Sequence, residues 1–524
     1  MPARRSSPYL HSHVESHGRR RAHSAHADRH HRVRHPFLRY LPPAVRCRPH
    51  RQGLRAGHRH RHRPYVPGHP LCPCRPWSPP AAQPAWHGVR AATAPGAACA
   101  QSGEIPVRGP ESFTEDCLFL NVTTPRTPSA SGPRPVMVWL HGGDHEDGTG
   151  SAYGAQRLAD QGDVVVVTLN FRLGAFGYLG DSNLGLQDQQ AALRWVRRNA
   201  AAFGGDRDNV TLFGQSGGAR SACAHLVAPT SAGLFDRAIL QSGPCLDEGE
   251  TRGTDRAARE KAQFAAHVDG PLDQASTREL VAADDRFDAG EKEIRYSPTY
   301  GTRLLPRTPQ QAFATGCFNR VPVLTGVNRD EETFRASWSV DMAKKAQDPD
   351  AEVETEDFRA YVCDVYGPAI ADRTVALYTG RTPKLPPVLA LGAAMSDAMW
   401  ARPAVDTDNA LGDRTPTYAY EFAQPDNPWF TDFPAPSFPI GAPHLSELPY
   451  FFDLGYGTTP LTAEQRTLAA SMIGIWSDFA RTGRPGWKPY TPADPNVQSI
   501  AAGRTGPTDF AKNHEYTFWK QQLG

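Results

Sequence analysis

The pentapeptide Gly214-Gln215-Ser216-Gly217-Gly218 carries the sharpest chemical signal in the chain, a hydroxyl set among small residues. It directly follows the apolar run 210–213 and precedes a helical run over 217–227. That context predicts a tight strand-to-helix turn presenting Ser216 above a sheet. A serine hydroxyl becomes a good nucleophile only when a base takes its proton, and the base needs a third group to fix its tautomer. The chemistry implied is attack on a carbonyl carbon.

Beyond the tail region the candidate bases are His87, His141, His145, His225, His267, His444 and His514. After a serine of this kind, the acid and then the histidine follow in chain order. His225 sits on the helix that starts at the serine, too close in sequence to approach it from the opposite side. His444, in the segment 441–450 (GAPHLSELPY) after the apolar run 417–422, fits best. The competing reading, a satisfied polar core histidine, fits its loop position poorly and leaves the serine without a base. For the acid, Asp330, Glu331 and Glu332 follow the apolar run 321–325, and strand ends are where catalytic groups gather in open sheets. Spacing leaves the choice among the three open.

Those residues need a rigid frame. Segments 135–140 (PVMVWL) and 163–169 (DVVVVTL) are nearly continuous apolar runs, the pattern of strands buried on both faces. Strands are also expected at 210–213, 238–241, 321–325 and 417–422. Apolar spacing over 186–203 suits an amphipathic helix, as does 463–482, with Leu468, Met472, Ile475, Trp476 and Phe479 on one face. Strands alternating with helices predict a mostly parallel α/β sheet. Two polar, helix-prone tracts, about 247–315 and 335–410, read as insertions over it.

Seven ordered motifs then carry a resemblance: 115–122 (EDCLFLNV), 136–143 (VMVWLHGG), 170–177 (NFRLGAFG), 183–189 (NLGLQDQ), 203–218 (FGGDRDNVTLFGQSGG), 241–243 (QSG) and the GAPH segment. From about residue 75 to the C-terminus the chain resembles the type B carboxylesterase and cholinesterase family. The resemblance implies an α/β-hydrolase fold with helical insertions over the active site, Ser216 as nucleophile, His444 as base and Glu331 as acid, because the family's Asp-Glu pair aligns with Asp330-Glu331. A one-residue shift would make Glu332 the acid instead. It further implies an oxyanion hole formed by Gly143, Asp144 and Gly217, and a disulfide between Cys99 and Cys117. Three departures stand out. Asp144 replaces the usual Gly or Ala, and its charge is expected to oppose the oxyanion unless the side chain turns away. The following residues, His145, Glu146 and Asp147, are unusually polar. Gln215 stands where Glu is common, which weakens any case for cationic choline esters.

Composition divides the chain. Of its 524 residues, the first 70 hold 16 Arg, no Lys, 13 of the 20 His and only Glu15 and Asp28 as acids, a charge of +14. The remainder carries 41 basic and 53 acidic groups, or −12. Residues 1–70 bury too little apolar surface to fold and are expected to be a disordered tail, or the product of a shifted frame or wrongly chosen start in GC-rich DNA. His and Arg runs there define no closed metal or nucleic-acid site, and no signal peptide is readable. The folded unit is expected over 75–524, with a missing N-terminal strand leaving one sheet edge uncovered. No stretch approaches the ~20 apolar residues of a membrane span. Nine Cys is an odd number, Cys72 and Cys74 are too few for a metal site, and the sequons at Asn121 and Asn209 read as chance. The expected function is a serine carboxylic ester hydrolase working through an acyl-serine, without cofactor or metal, on a small-molecule ester. The alternative is a non-catalytic binding or adhesion protein of the same family. Compartment, oligomeric state and acyl preference stay open.

Overall fold

The structure, a computed structural model, describes residues 46–47, 65–70, 77–81, 83, 87–88, 90–103, 109–129, 132–247, 251–288, 296–431, 433 and 435–524. Ten strands form its main sheet: β1 (Tyr65–Pro70), β2 (Phe119–Thr123), β3 (Arg134–Leu140), β4 (Val165–Leu169), β5 (Gly205–Gln215), β6 (Arg237–Gln241), β7 (Val323–Asn328), β8 (Thr417–Phe422), β9 (Val497–Ile500) and β10 (Gly506–Thr508). Their order is β10-β9-β8-β7-β6-β5-β3-β4-β2-β1. The run from β4 through β9 is parallel, and antiparallel strands close both edges.

The continuous apolar runs are explained by burial on both faces. In β3, Val136, Val138 and Leu140 share one core with Leu193 and Val196 of helix α1 (Leu184–Asn199) and Ala222 and Leu226 of α2 (Gly217–Val227). Met137 and Trp139, pointing the other way, pack with Leu468, Met472 and Trp476 of α3 (Ala463–Thr482). The α3 stripe differs from expectation in one place: Ile473 is fully buried, and Ile475 only partly. The two insertions are helical, spanning Thr254–Ala265, Thr277–Asp288 and Pro309–Thr315 between β6 and β7, and a series from Thr333–Arg335 to Arg402–Gly412 between β7 and β8. The second packs Phe358, Tyr378 and Leu391 into a separate core that Trp519 of the C-terminal helix Tyr516–Leu523 completes.

The N-terminal edge departs from the sequence reading. Tyr65–Pro70, which composition assigns to the tail, pairs antiparallel with β2 and covers that edge. Val66 is buried, the Gly68 N–H donates to Asn121 Oδ1 at 3.0 Å, and the His69 ring packs edge-on against Trp195 at 4.7 Å. The rest of 1–64, apart from the two-residue strand Arg46–Cys47, lies outside the described residues, and so do Cys72 and Cys74. Among the described residues no helix is long and apolar enough to cross a membrane.

Candidate active site

Parallel strands bring the predicted groups to one edge. Ser216 follows β5, the loop 141–147 follows β3, Glu331 follows β7, and His444 lies in the loop after β8, all at strand C-terminal ends.

Ser216 has φ 53° and ψ −123°, a strained conformation for a residue with a side chain. Its N–H donates to Gln241 O at 2.9 Å, which ties the turn to β6. Only glycine fits beside it: a Cβ on Gly218 would lie 2.0 Å from Leu140 O, and one on Gly214 would lie 2.5 Å from the Gly218 carbonyl carbon. The turn is therefore pressed against the end of β3, from which the loop 141–147 departs.

His444 and Glu331 are joined by a 2.6 Å hydrogen bond from Nδ1 to Oε2. The carboxylate is fully buried, and its Oε1 accepts from the Asn328 N–H at 2.8 Å. Backbone bonds staple the two loops together, His444 N to Glu331 O at 3.1 Å and Asp330 N to Ala442 O at 3.0 Å. The other two candidate acids are used elsewhere. Asp330 Oδ2 accepts from the Ala442 N–H at 2.8 Å and pairs with Arg329, whereas Glu332 accepts from Trp400 Nε1 at 2.7 Å and pairs with Arg335. Of the three, Glu331 alone is bonded to His444.

Burial opposes charging of His444, but the charge and hydrogen bond of Glu331, helped by Glu447 and Asp144, outweigh it and hold the imidazole above its ordinary range. Glu447 is buried beneath, accepting from Asn328 Nδ2 at 2.9 Å and Gln241 Nε2 at 3.2 Å. Burial, with repulsion from Glu331, pushes its carboxyl up. Sequence reasoning missed Glu447, Asn328 and Trp400, whose ring lies 4.7 Å from that of His444. Glu447 and Asn328 were signalled only by proximity to the motifs, and Trp400, within the second insertion, by nothing.

The loop expected to form the oxyanion hole runs through three successive residues of positive φ, Gly143 (98°), Asp144 (50°) and His145 (66°). A Cβ on Gly217 would meet Asp144 N and His145 N, each at 3.1 Å, so these two N–H groups lie over the start of α2. Gly143 admits no side chain: a Cβ there would be 2.2 Å from Asp147 O. The Asp144 carboxylate turns aside, Oδ1 lying 2.9 Å from Arg220 Nη1. His145 is buried and anchors the loop, Nδ1 donating to Tyr296 O and Nε2 accepting from Ser221 Oγ, both at 3.0 Å. Two of the loop's unusual polar side chains, Asp144 and His145, are thus held by groups outside it.

Three of the remaining histidines are core residues. Burial drives His141, stacked on Phe171, down to about 4, and His225, bonded to Ser231 and Gln189, down to about 3. His514 lies between Asp397 and Glu421. Cys99 and Cys117 form the expected disulfide; a second, unforeseen one joins Cys223 on α2 to Cys245. Asn121 is buried and bonded to Thr168, in keeping with a chance sequon. Among the described residues no group of three or more His, Cys, Asp or Glu is placed to hold a metal ion.

A largely parallel sheet with a serine on a strained turn, and an acid–histidine pair on loops of neighbouring strands, defines an α/β-hydrolase. The chain belongs to the carboxylesterase family, whose model matches residues 69–519. It is 35% identical to the para-nitrobenzyl esterase of Bacillus subtilis (strain 168), over 76% of this chain and 81% of that protein. It is 32% identical to human cocaine esterase, over 87% and 85%. Among solved structures it superposes on a thermophilic pNB esterase with a TM-score of 0.71 at 30% identity, covering 87% of this chain and 95% of the other. The chain is a carboxylic ester hydrolase.

Proposed function

We propose that Ser216, His444 and Glu331 form the triad of a two-step hydrolysis of small-molecule carboxylic esters. Ser216 Oγ attacks the ester carbonyl carbon while His444 Nε2 takes its proton. The tetrahedral oxyanion is received by backbone N–H groups of the 143–145 loop and Gly217. Collapse expels the alcohol, which takes the proton from His444. Water, deprotonated by His444, then attacks the acyl-serine and releases the acid. Glu331 keeps the proton on Nδ1 and stabilises the imidazolium formed in each step.

The observation that carries this reading is the 2.6 Å Glu331–His444 bond, held by stapled loops on the sheet edge that also bears the strained Ser216. A binding-only role draws no support from Asp144, because its carboxylate is paired with Arg220. The test is hydrolysis of p-nitrophenyl acetate by the wild type and Ser216→Ala. Turnover is expected to fall by about 10³-fold or more; a folded Ala variant that keeps its activity would overturn the assignment.

A further inference from the structure

We infer that Arg220 is a positioning residue for the oxyanion loop: its guanidinium draws the Asp144 carboxylate aside and neutralises it, so that an acidic residue is tolerated where a nascent oxyanion must be stabilised. The inference rests on Ser216 as nucleophile and the Asp144 N–H as an oxyanion donor. Arg220 lies in the first turn of α2, and its own N–H donates to Ser216 O at 3.0 Å. The nucleophile and the guanidinium are therefore fixed to the same short piece of backbone. The Arg220 side chain is only 13% exposed, whereas that of Asp144 is 46% exposed, so the cation is the sheltered partner and the anion the one led to it. The Trp400 ring, 5.7 Å from the guanidinium carbon, and Asp247, 3.6 Å from Nη2, hold the cation from its other sides.

Stability is a poor explanation for this pair. An ion pair with one half-exposed member contributes little to folding. Its position has more consequence, because the Asp144 N–H lies over Gly217 and the Asp144 charge already reaches His444. Left unpaired, the carboxylate would oppose the oxyanion. It would also add to the pull of Glu331 and Glu447 on the imidazole, whose other neighbours, Gln215 and Trp400, are uncharged.

The test is a double-mutant cycle on p-nitrophenyl acetate with Arg220→Gln, Asp144→Asn and the double variant, each also run as a pH profile. Arg220→Gln is expected to lower kcat by about tenfold, with KM changed by less than about threefold, and to move the acid limb to higher pH. With Asn at 144 the same substitution should have almost no effect on kcat, and Arg220→Lys should recover most of the turnover. Arg220→Met, which keeps the aliphatic stem against Trp400, is the second variant if the Gln protein fails to fold, with the same expectation. The inference is overturned if the Gln and Met variants keep wild-type kcat, or if the loss is as large with Asn at 144, which would mark Arg220 as merely structural. Fluorophosphonate labelling of the wild type separates the two readings. A wild type that neither labels nor hydrolyses brings down the nucleophile assignment itself, whereas a labelled, active wild type with an uncoupled cycle brings down Arg220 alone.

Discussion

The side-chain amide nitrogen of Gln215 lies 3.0 Å from His444 Nε2, the ring nitrogen that takes the Ser216 proton in the proposed mechanism. With Nδ1–H given to Glu331, Nε2 carries the lone pair, and the amide N–H donates to it. Gln215 is fully buried, and its Oε1 has no hydrogen-bond partner among the described residues. The amide is the partner of Nε2 in this structure, and the proposed mechanism requires Ser216 to displace it for proton transfer. Placing a second carboxylate here, Gln215→Glu, should raise the His444 pKa further. Activity should drop most near pH 6–7 and recover at higher pH. An unshifted acid limb would show that residue 215 does not act on the imidazole.

The wild-type pH profile follows from the same site. Sequence alone places the acid limb at the ordinary histidine value, roughly 6 to 7. Because Glu331, Glu447 and Asp144 outweigh the effect of burial, the folded pKa is raised, and the base is lost to protonation at higher pH than for a free histidine. The limb of kcat/KM is expected above about 6.5. A limb below that value would contradict the electrostatic picture.

Glu331 and Glu332 separate cleanly by substitution. Glu331→Gln leaves the shape but offers the wrong hydrogen-bonding partner to Nδ1, and should lower kcat by about 10³- to 10⁴-fold. Glu332→Gln disturbs only the bond to Trp400 and the pair with Arg335, and its loss should be far smaller. Equal losses would argue that the acid is not assigned by this geometry.

A second histidine predicts alkaline lability. Burial opposes charging of His514, but Asp397 and Glu421 overcome it and push its pKa up to about 10. Tyr378 and Arg381 also bond to Asp397. A folded pKa above the unfolded value of about 6.5 gives stability that is fully present below that pH and is lost as pH rises through about 10. The thermal midpoint should fall across that window, and His514→Gln should flatten the fall while lowering stability at pH 6. A variant with the same slope as wild type would refute the link.

Much of this was legible in the sequence, for identifiable reasons. Strands β3, β4, β6, β7 and β8 and the second half of β5 are short apolar runs whose two-sided burial leaves a direct trace, whereas the polar first half of β5, 205–209, left none; the helices 217–227 and 463–482 begin and end where expected. The elbow was legible because close backbone approach demands glycine at 214 and 218. Long-range pairing was not. Nothing local distinguishes Glu331 from Glu332, since what separates them is a contact across 113 residues. Asp144 looked like a handicap because its partner Arg220 lies 76 positions away, so Asp144→Gly is now expected to bring no gain in turnover. Strand β1 was hidden by its composition, its buried face being built from Val66 and His69 rather than an apolar run.

The most direct test of the triad is to treat the folded wild-type protein with a fluorophosphonate and locate the adduct by peptide mass spectrometry. The assignment predicts a single stoichiometric adduct on Ser216, lost in Ser216→Ala and strongly slowed in His444→Ala. An adduct on another residue, or none on a folded protein that still hydrolyses esters, would contradict it.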